Sequence, residues 1–255
     1  MKIEWLIEQP DCDALNAFVT QHMSKTFVVE RIRLNVEGPE PSFSRSRFWR
    51  ALVMCLLTTR QRSGPDSAVT RFLNRDPFPL SLAVCEENSS AGYMTQVLRV
   101  AGGIRRADTI GTQLSQNLRT LEGGGWPLVE EIARRLVQQR SSNPMDAHKN
   151  GERSAAAAVD EGFEGIGPKQ SRNLWQSLGL TRYEIPLDSR VAKWLKKAKF
   201  PLSVSPNLLA DTDYYNFVLD GVQLLCAKSN VLPCIFDAAV FASYDPEWNV
   251  GQIVN

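Results

Sequence analysis

Apolar residues along most of the chain recur every three or four positions, the spacing of one helix face. "DCDALNAFVTQHM" (11–23) offers an aspartate cap and then Leu15, Phe18 and Val19. "SRSRFWRALVMCLLTT" (44–59) predicts a strongly apolar helix, long enough to be central. "SGPDSAVTRFLNRD" (63–76) starts another, with Ser63 or Asp66 as cap and Pro65 in the first turn. "AGYMTQVLRVAG" (91–102) and "GIRRADTIGTQLSQNLRTLEGGG" (103–125) read as two helices punctuated by glycines, and "WPLVEEIARRLVQQR" (126–140) as a third. "PLDSRVAKWLKKAKF" (186–200) predicts a helix started by Asp188 or Ser189, and residues 213–230 and 233–243 close the chain as two more.

Two stretches break this rhythm. "TFVVERIRLNVEG" (26–38) alternates more like a strand or an extended arm, so a short β element is expected near 26–36. Residues 141–161, "SSNPMDAHKNGERSAAAAVDE", are polar and weakly patterned. Their first half reads as a flexible insertion and the alanine run as a short helix. The expectation is a mainly all-α protein: an N-terminal helix and extended arm (1–44), then a main domain (45–255) interrupted by that insertion.

Composition changes this picture little. The 255 residues are 43% hydrophobic and 22% charged, an ordinary mix for a globular chain. Net charge is +1, so contact with a polyanion must come from a local basic face. The five cysteines are scattered, mostly inside apolar runs, and lack the spacing of a zinc site or an iron–sulfur cluster; buried thiols in a reducing compartment are expected. His22 and His148 form no metal constellation. Acids interrupt the N-terminal apolar stretch and no run is long enough to span a bilayer, which predicts a cytoplasmic protein.

Chemistry concentrates in "GFEGIGPKQSRNLW" (162–175). Gly165 and Gly167 permit a tight turn and close approach of another molecule to the backbone. The helix that follows presents free N–H groups, an anion site. Lys169 stands on its first turn, where the helix dipole disfavours a cation. One helix and one loop later, "IPLDSRV" delivers Asp188 to another helix start. Taken singly, the Gly-Ile-Gly turn is an ordinary interhelical connection, Lys169 a solvated lysine and Asp188 a helix cap. Arg190, Lys193, Lys196, Lys197 and Lys199 make a basic stripe that is either a solvated face or a phosphate-binding one. Trp175 and Trp194 occupy core-like positions, and Asp237 reads as a helix cap.

Joined together, Phe163, Gly165-Ile166-Gly167, Lys169 and Asp188 resemble the helix–hairpin–helix DNA glycosylase superfamily. Residues 48–73, 97–114 and 217–243 resemble further segments of that family in the same order. The last is similar to the closing helices of the compact 8-oxoguanine glycosylases, with Phe236-Asp237 where a Leu-Asp pair is usual. The resemblance implies two helical subdomains with the hairpin and an active-site cleft between them. It also implies a monomeric enzyme acting on double-stranded DNA with a damaged base, 8-oxoguanine first. No cofactor is required, no iron–sulfur cluster is expected, and hairpin carbonyls are available to a structural monovalent cation. Gly165, Ile166, Gly167, Arg60, Gln61, Arg62 and the 190–197 stripe would contact DNA, with Arg60-Gln61-Arg62 as a wedge for the hole left by a flipped base or as an ordinary polar loop. The chain departs from the family in lacking its C-terminal lysine and in carrying the 141–161 stretch.

The implied chemistry is expulsion of a base from C1′ of deoxyribose, reached only in a flipped-out nucleotide. A fixed carboxylate, the role of Asp188, would stabilise the cationic sugar. An amine, the role of Lys169, would attack C1′; a free lysine titrates near 10.4, and a helix N-terminus with partial burial favours a neutral amine. The alternatives are a non-catalytic DNA-binding module that keeps the hairpin, and a glycosylase for another damaged base.

Overall fold

The computed structural model describes residues 4–38, 42–61, 64–141 and 145–244. They form α1 (Gln9–His22), α2 (Thr26–Ile32), α3 (Arg45–Leu57), α4 (Ala68–Leu73), α5 (Leu82–Glu87), α6 (Ala91–Ala101), α7 (Ala107–Thr120), α8 (Trp126–Ser141), α9 (Met145–Gly162), α10 (Pro168–Ser177), α11 (Ser189–Lys197), α12 (Thr212–Lys228) and α13 (Pro233–Tyr244). Wide π-type turns at Arg33–Glu37 and Leu121–Gly125 extend α2 and α7. The fold is all-α, with no strand among the described residues.

Local chemistry sets many of the helix starts. Ser44, Ser67, Ser90 and Asp211 each accept a hydrogen bond from a backbone N–H in the first turn of α3, α4, α6 and α12. The cap of α4 is therefore Ser67 and not Asp66; Ser63 lies outside the described residues. Helix α1 starts before the predicted aspartate, and Asp11 instead accepts from the Glu8 N–H at 3.0 Å.

The buried side chains fall into two clusters. One is built on α3 to α10, around Phe48, Trp49, Leu52, Leu114 and Trp175. The other joins α1 and α2 to α11, α12 and α13, around Leu15, Val28, Trp194, Tyr215 and Phe236. Residues 1–44 are thus no separate arm, because the described N-terminal helices share a core with the C-terminal ones.

The expected β element at 26–36 is helix and wide turn. Val28 is buried, and Phe27, Ile32 and Val36 pack against the second cluster. That four-residue recurrence is helical, and packing against α13 outweighs the β preference of the valines. The expected flexible insertion is also corrected from Met145 onward, where α9 runs unbroken; residues 142–144 lie outside the described set. Its buried positions, His148, Glu152, Ala155, Ala156 and Val159, keep helical spacing. Two are polar and two are alanines, so hydropathy does not reveal the stripe.

A polar seam lies where the clusters meet. Arg172 on α10 is buried and its Nε donates to Glu184 at 2.9 Å. Arg153 bridges Glu184 and Asp220. Gln223 donates to Glu184 and to the Tyr183 carbonyl, both at 3.0 Å. Glu152 accepts the N–H groups of Arg182, Tyr183 and Glu184 at 2.7–2.8 Å. From the other side Asn35, fully buried, donates to the carbonyls of Gln176 and Thr181. The extended segment 180–188 is thereby fixed.

Candidate functional site

The connection between α9 and α10 runs from Phe163 to Gly167. Phe163 and Ile166 insert into the first cluster, so the Ile166 side chain anchors the turn and leaves its backbone as the part that could contact DNA. Gly165 has φ +78, and a Cβ there would meet the Gln113 amide at 2.4 Å. Only glycine suits that position. Gly167 is different: it is extended, and nothing in the protein lies within 4 Å of where its Cβ would be. Its missing side chain leaves open space beside the start of α10. Asn117 on α7 clamps the turn, with its Oδ1 accepting from the Glu164 N–H at 2.7 Å and its Nδ2 donating to the Glu164 carbonyl at 3.1 Å. The carbonyls of Phe163, Glu164 and Gly167 accept hydrogen bonds within the protein. Those of Gly165 and Ile166 are left for a monovalent cation, which would need further ligands from water or phosphate. Among the described residues no group of three or more His, Cys, Asp or Glu could hold a metal ion.

Helix α10 begins at Pro168 with no side-chain cap. Lys169, its second residue, is half-buried and makes no ion pair among the described residues. Its charge acts on two buried groups, the Cys55 thiol on α3 and the Asp237 carboxyl on α13. Burial pushes that thiol up to about 12, so Cys55 stays protonated beside the amine. The neighbouring Gln170 ties α10 to the last turn of α3 through the Cys55 carbonyl (2.7 Å) and the Thr58 and Thr59 hydroxyls (3.2 and 2.8 Å).

Asp188 caps α11, as its position suggests. Its Oδ1 accepts from the N–H groups of Arg190 (2.7 Å) and Val191 (3.0 Å). Its Oδ2 pairs with the Arg190 guanidinium at 2.9 Å. Arg190 also lies 4.5 Å over the Phe241 ring. It is therefore engaged with Asp188 and is not part of an outward basic stripe. The stripe that remains is Lys193, near the Tyr244 ring, with exposed Lys196 and Lys197. The loop carrying Asp188 is held by the Tyr215 hydroxyl, which accepts from the Leu187 N–H at 2.6 Å and donates to the Ile185 carbonyl at 3.0 Å.

Asp237 is the residue whose role pattern reading missed. It sits in the body of α13, buried, and caps nothing. Burial first, and then the Asp188 carboxylate, raise its carboxyl to about 7, against Arg31, Gln176 and Lys169. The charges of Asp188 and Lys169 both act on Asp237. Arg31 donates to the Gln176 carbonyl at 3.1 Å. The Gln176 amide is fully buried and faces Asp237, yet neither amide atom has a partner of normal hydrogen-bond geometry. Unsatisfied buried amides are rare, and this one marks polar capacity beside the two carboxyls. A sequence signal existed in the aspartate within an otherwise apolar helix, where an acid is costly without a role.

The remaining expected contacts divide. Arg60 is exposed, with φ +57. Gln61 is bonded inside the protein at both ends, to the Leu57 carbonyl and, through Oε1, to the Arg105 N–H at 2.8 Å. A glutamine so held does not project as a wedge. Arg62 lies outside the described residues. Trp175 and Trp194 are packed in the two clusters, and all five cysteines are buried free thiols. No single helix among the described residues is long and apolar enough to cross a membrane. No family model, curated protein or solved structure matches the chain.

Proposed function

We propose that the chain is a DNA glycosylase with associated lyase activity, excising a damaged base from duplex DNA through a Schiff base on Lys169. The observation that carries this reading is a half-buried lysine on a helix first turn, without an ion pair among the described residues, whose charge acts together with that of the capping Asp188 on the buried Asp237 carboxyl. Asp188 stabilises positive charge developing on the sugar. The Lys169 amine donates its lone pair to C1′ as the C1′–N bond electrons leave with the base. Asp237, neutral below about pH 7, donates a proton to the departing base. The attached nitrogen then loses a proton and pushes out the ring oxygen. The C1′–O4′ pair leaves onto O4′, which takes up a proton, and the open-chain iminium forms. It acidifies C2′, and loss of that proton expels the 3′ phosphate, cleaving the strand. Hydrolysis then returns the amine. The open backbone at Gly167 gives a phosphate access to the N–H groups of α10. The choice of 8-oxoguanine rests on the family resemblance.

Duplex oligonucleotides, each carrying one lesion or an abasic site, treated with borohydride during turnover test the reading. The expected result is a covalent protein–DNA adduct with at least one lesion, lost in Lys169→Gln while DNA binding persists. An adduct formed equally by Lys169→Gln removes the assigned nucleophile.

A further inference from the structure

Lys169 and Asp188 are carried by different cores. Lys169 begins α10, whose Leu174 and Trp175 pack in the first cluster. Asp188 begins α11, whose Val191 and Leu195 pack in the second. Each core holds one of the two groups, so what spans the seam sets how they face each other.

Arg172 spans it, with only 1% of its surface exposed. On one side Nη1 donates to the Pro168 carbonyl at 2.9 Å. That carbonyl shares a rigid peptide plane with the N–H and Cα of Lys169, so the guanidinium grips the unit from which the lysine side chain hangs. On the other side Nε donates to Glu184, in the segment leading to Asp188, at 2.9 Å. Nη2 donates to Asn216 on α12 at 2.6 Å. The same guanidinium lies 4.5 Å over the Tyr215 ring, and the Tyr215 hydroxyl holds the Leu187 N–H and the Ile185 carbonyl. Other seam bonds tie the segment to Glu152 and Asn35. Among the described residues of the seam, Arg172 also holds the peptide of Lys169. Stability alone does not call for it, because a buried ion pair gains little over apolar residues of similar size. What arginine adds is a planar fork that fixes angles as well as distances.

We infer that Arg172 is a positioning residue that fixes Lys169 relative to Asp188, so that base excision depends on it while Schiff-base formation at an abasic site does not. This rests on the proposed function and deepens it. Base excision needs both groups at once, the amine at C1′ and the carboxylate beside the sugar cation, and a misplacement of about 1 Å is enough to cost about a hundredfold in rate. An abasic sugar already opens to an aldehyde. The amine adds to its C1′ and water leaves, with no sugar cation for Asp188 to stabilise, and the flexible sugar can come to the amine.

The test compares Arg172→Lys and Arg172→Met with wild type in two assays. One is single-turnover base release from duplex carrying the lesion that wild type excises, 8-oxoguanine first. The other is borohydride trapping on duplex carrying an abasic site. Both are expressed per folded molecule, from urea unfolding. Lysine returns a charge to Glu184 and with it stability, but its single ammonium cannot hold Pro168, Glu184 and Asn216 in one plane. Base release is expected to fall at least about tenfold in both variants, the stabler lysine one included, with trapping kept within about twofold of wild type. Tyr215→Phe keeps the ring under the guanidinium and removes the hydroxyl that holds the Asp188 loop. It should show the same split, and it decides the matter where neither Arg172 variant folds. Base release that returns with stability in Arg172→Lys overturns the positioning role. So does a parallel fall of both activities, or loss of trapping with base release kept, in any folded variant. Wild type that excises and traps, while every variant does both at wild-type rates, sinks this inference alone. Wild type that neither excises nor traps sinks the proposed function with it.

Discussion

Two regions of this protein bury acids, and they do so differently. In the seam, Glu152 accepts three backbone N–H bonds, and Glu184 meets two arginines and Gln223. Burial and the neighbouring Glu184 still raise the Glu152 carboxyl to about 8, but every oxygen has a partner. By contrast, Asp237 stands at about 7 under the charges of Asp188, Arg31 and Lys169, facing a Gln176 amide with no partner of normal geometry. Seam acids are saturated and hold segment 180–188 in place. Around Asp237 the Gln176 amide is left unsatisfied, which costs stability and leaves polar capacity. The two regions thus differ in whether the buried polar partners are complete.

Substitutions can break this contrast. The largest expected effect is on the proposed chemistry: Asp188→Asn should slow single-turnover base excision by at least about a hundredfold. It should lose less than about 1 kcal/mol of stability, because an amide oxygen still caps α11, whereas Asp188→Ala forfeits the cap as well. Stopped-time excision assays and denaturant melts measure the two properties. A fully active Asp188→Asn protein reduces Asp188 to a cap.

The seam should answer the other way. Arg172→Met takes one of the two arginines from the buried Glu184 carboxylate and should cost up to about 3–5 kcal/mol, read from urea unfolding. Protein that remains folded should retain the Lys169 adduct with abasic DNA. A stability change within about 0.5 kcal/mol would show that the seam is not what fixes the segment.

Proton linkage sharpens the comparison. The folded-state carboxyl of Asp237 lies above its unfolded value, so its contribution to stability is full below about pH 4. That contribution disappears as pH rises to about 7. Asp237→Asn should remove this loss and raise stability at pH 8 by about 4 kcal/mol. It should also lower the excision rate below pH 7, leaving no fall above it, as expected when a required acid is lost. Glu152 has the same sign over a window reaching about pH 8, but lesion-bearing DNA should shift only the titration of Asp237. A stability profile unchanged in Asp237→Asn would remove the buried acid from the argument.

The smallest effect belongs to the exposed lysines. Lys196→Glu with Lys197→Glu should weaken binding to all duplexes alike and flatten the salt slope by no more than about 0.9 for each phosphate lost, with lesion preference kept. Identical titrations for mutant and parent would make this stripe a solvated face.

Legibility in the sequence followed the same division. Asp188 as a cap, Lys169 on a first turn, the glycine at 165 and the packed tryptophans are all visible, because each depends on a few neighbouring residues. The helices at 26–32 and 145–162 were obscured. One carries β-branched residues over only two turns, and the other presents its buried face through His148, Glu152 and alanines. Periodicity weighed by hydropathy is blind to a stripe whose members are polar or small.

By itself the sequence determined the all-α class, the punctuation of its helices and the residues standing at their starts, since propensity, capping and turn chemistry act over a few positions. Only the tertiary structure decided that the N-terminal helices share a core with α13, that Gln61 is tied to Arg105, and that the charges of Asp188 and Lys169 both act on Asp237. Those outcomes depend on contacts between residues far apart in the chain, and on how much water each charge has lost, which no local pattern encodes.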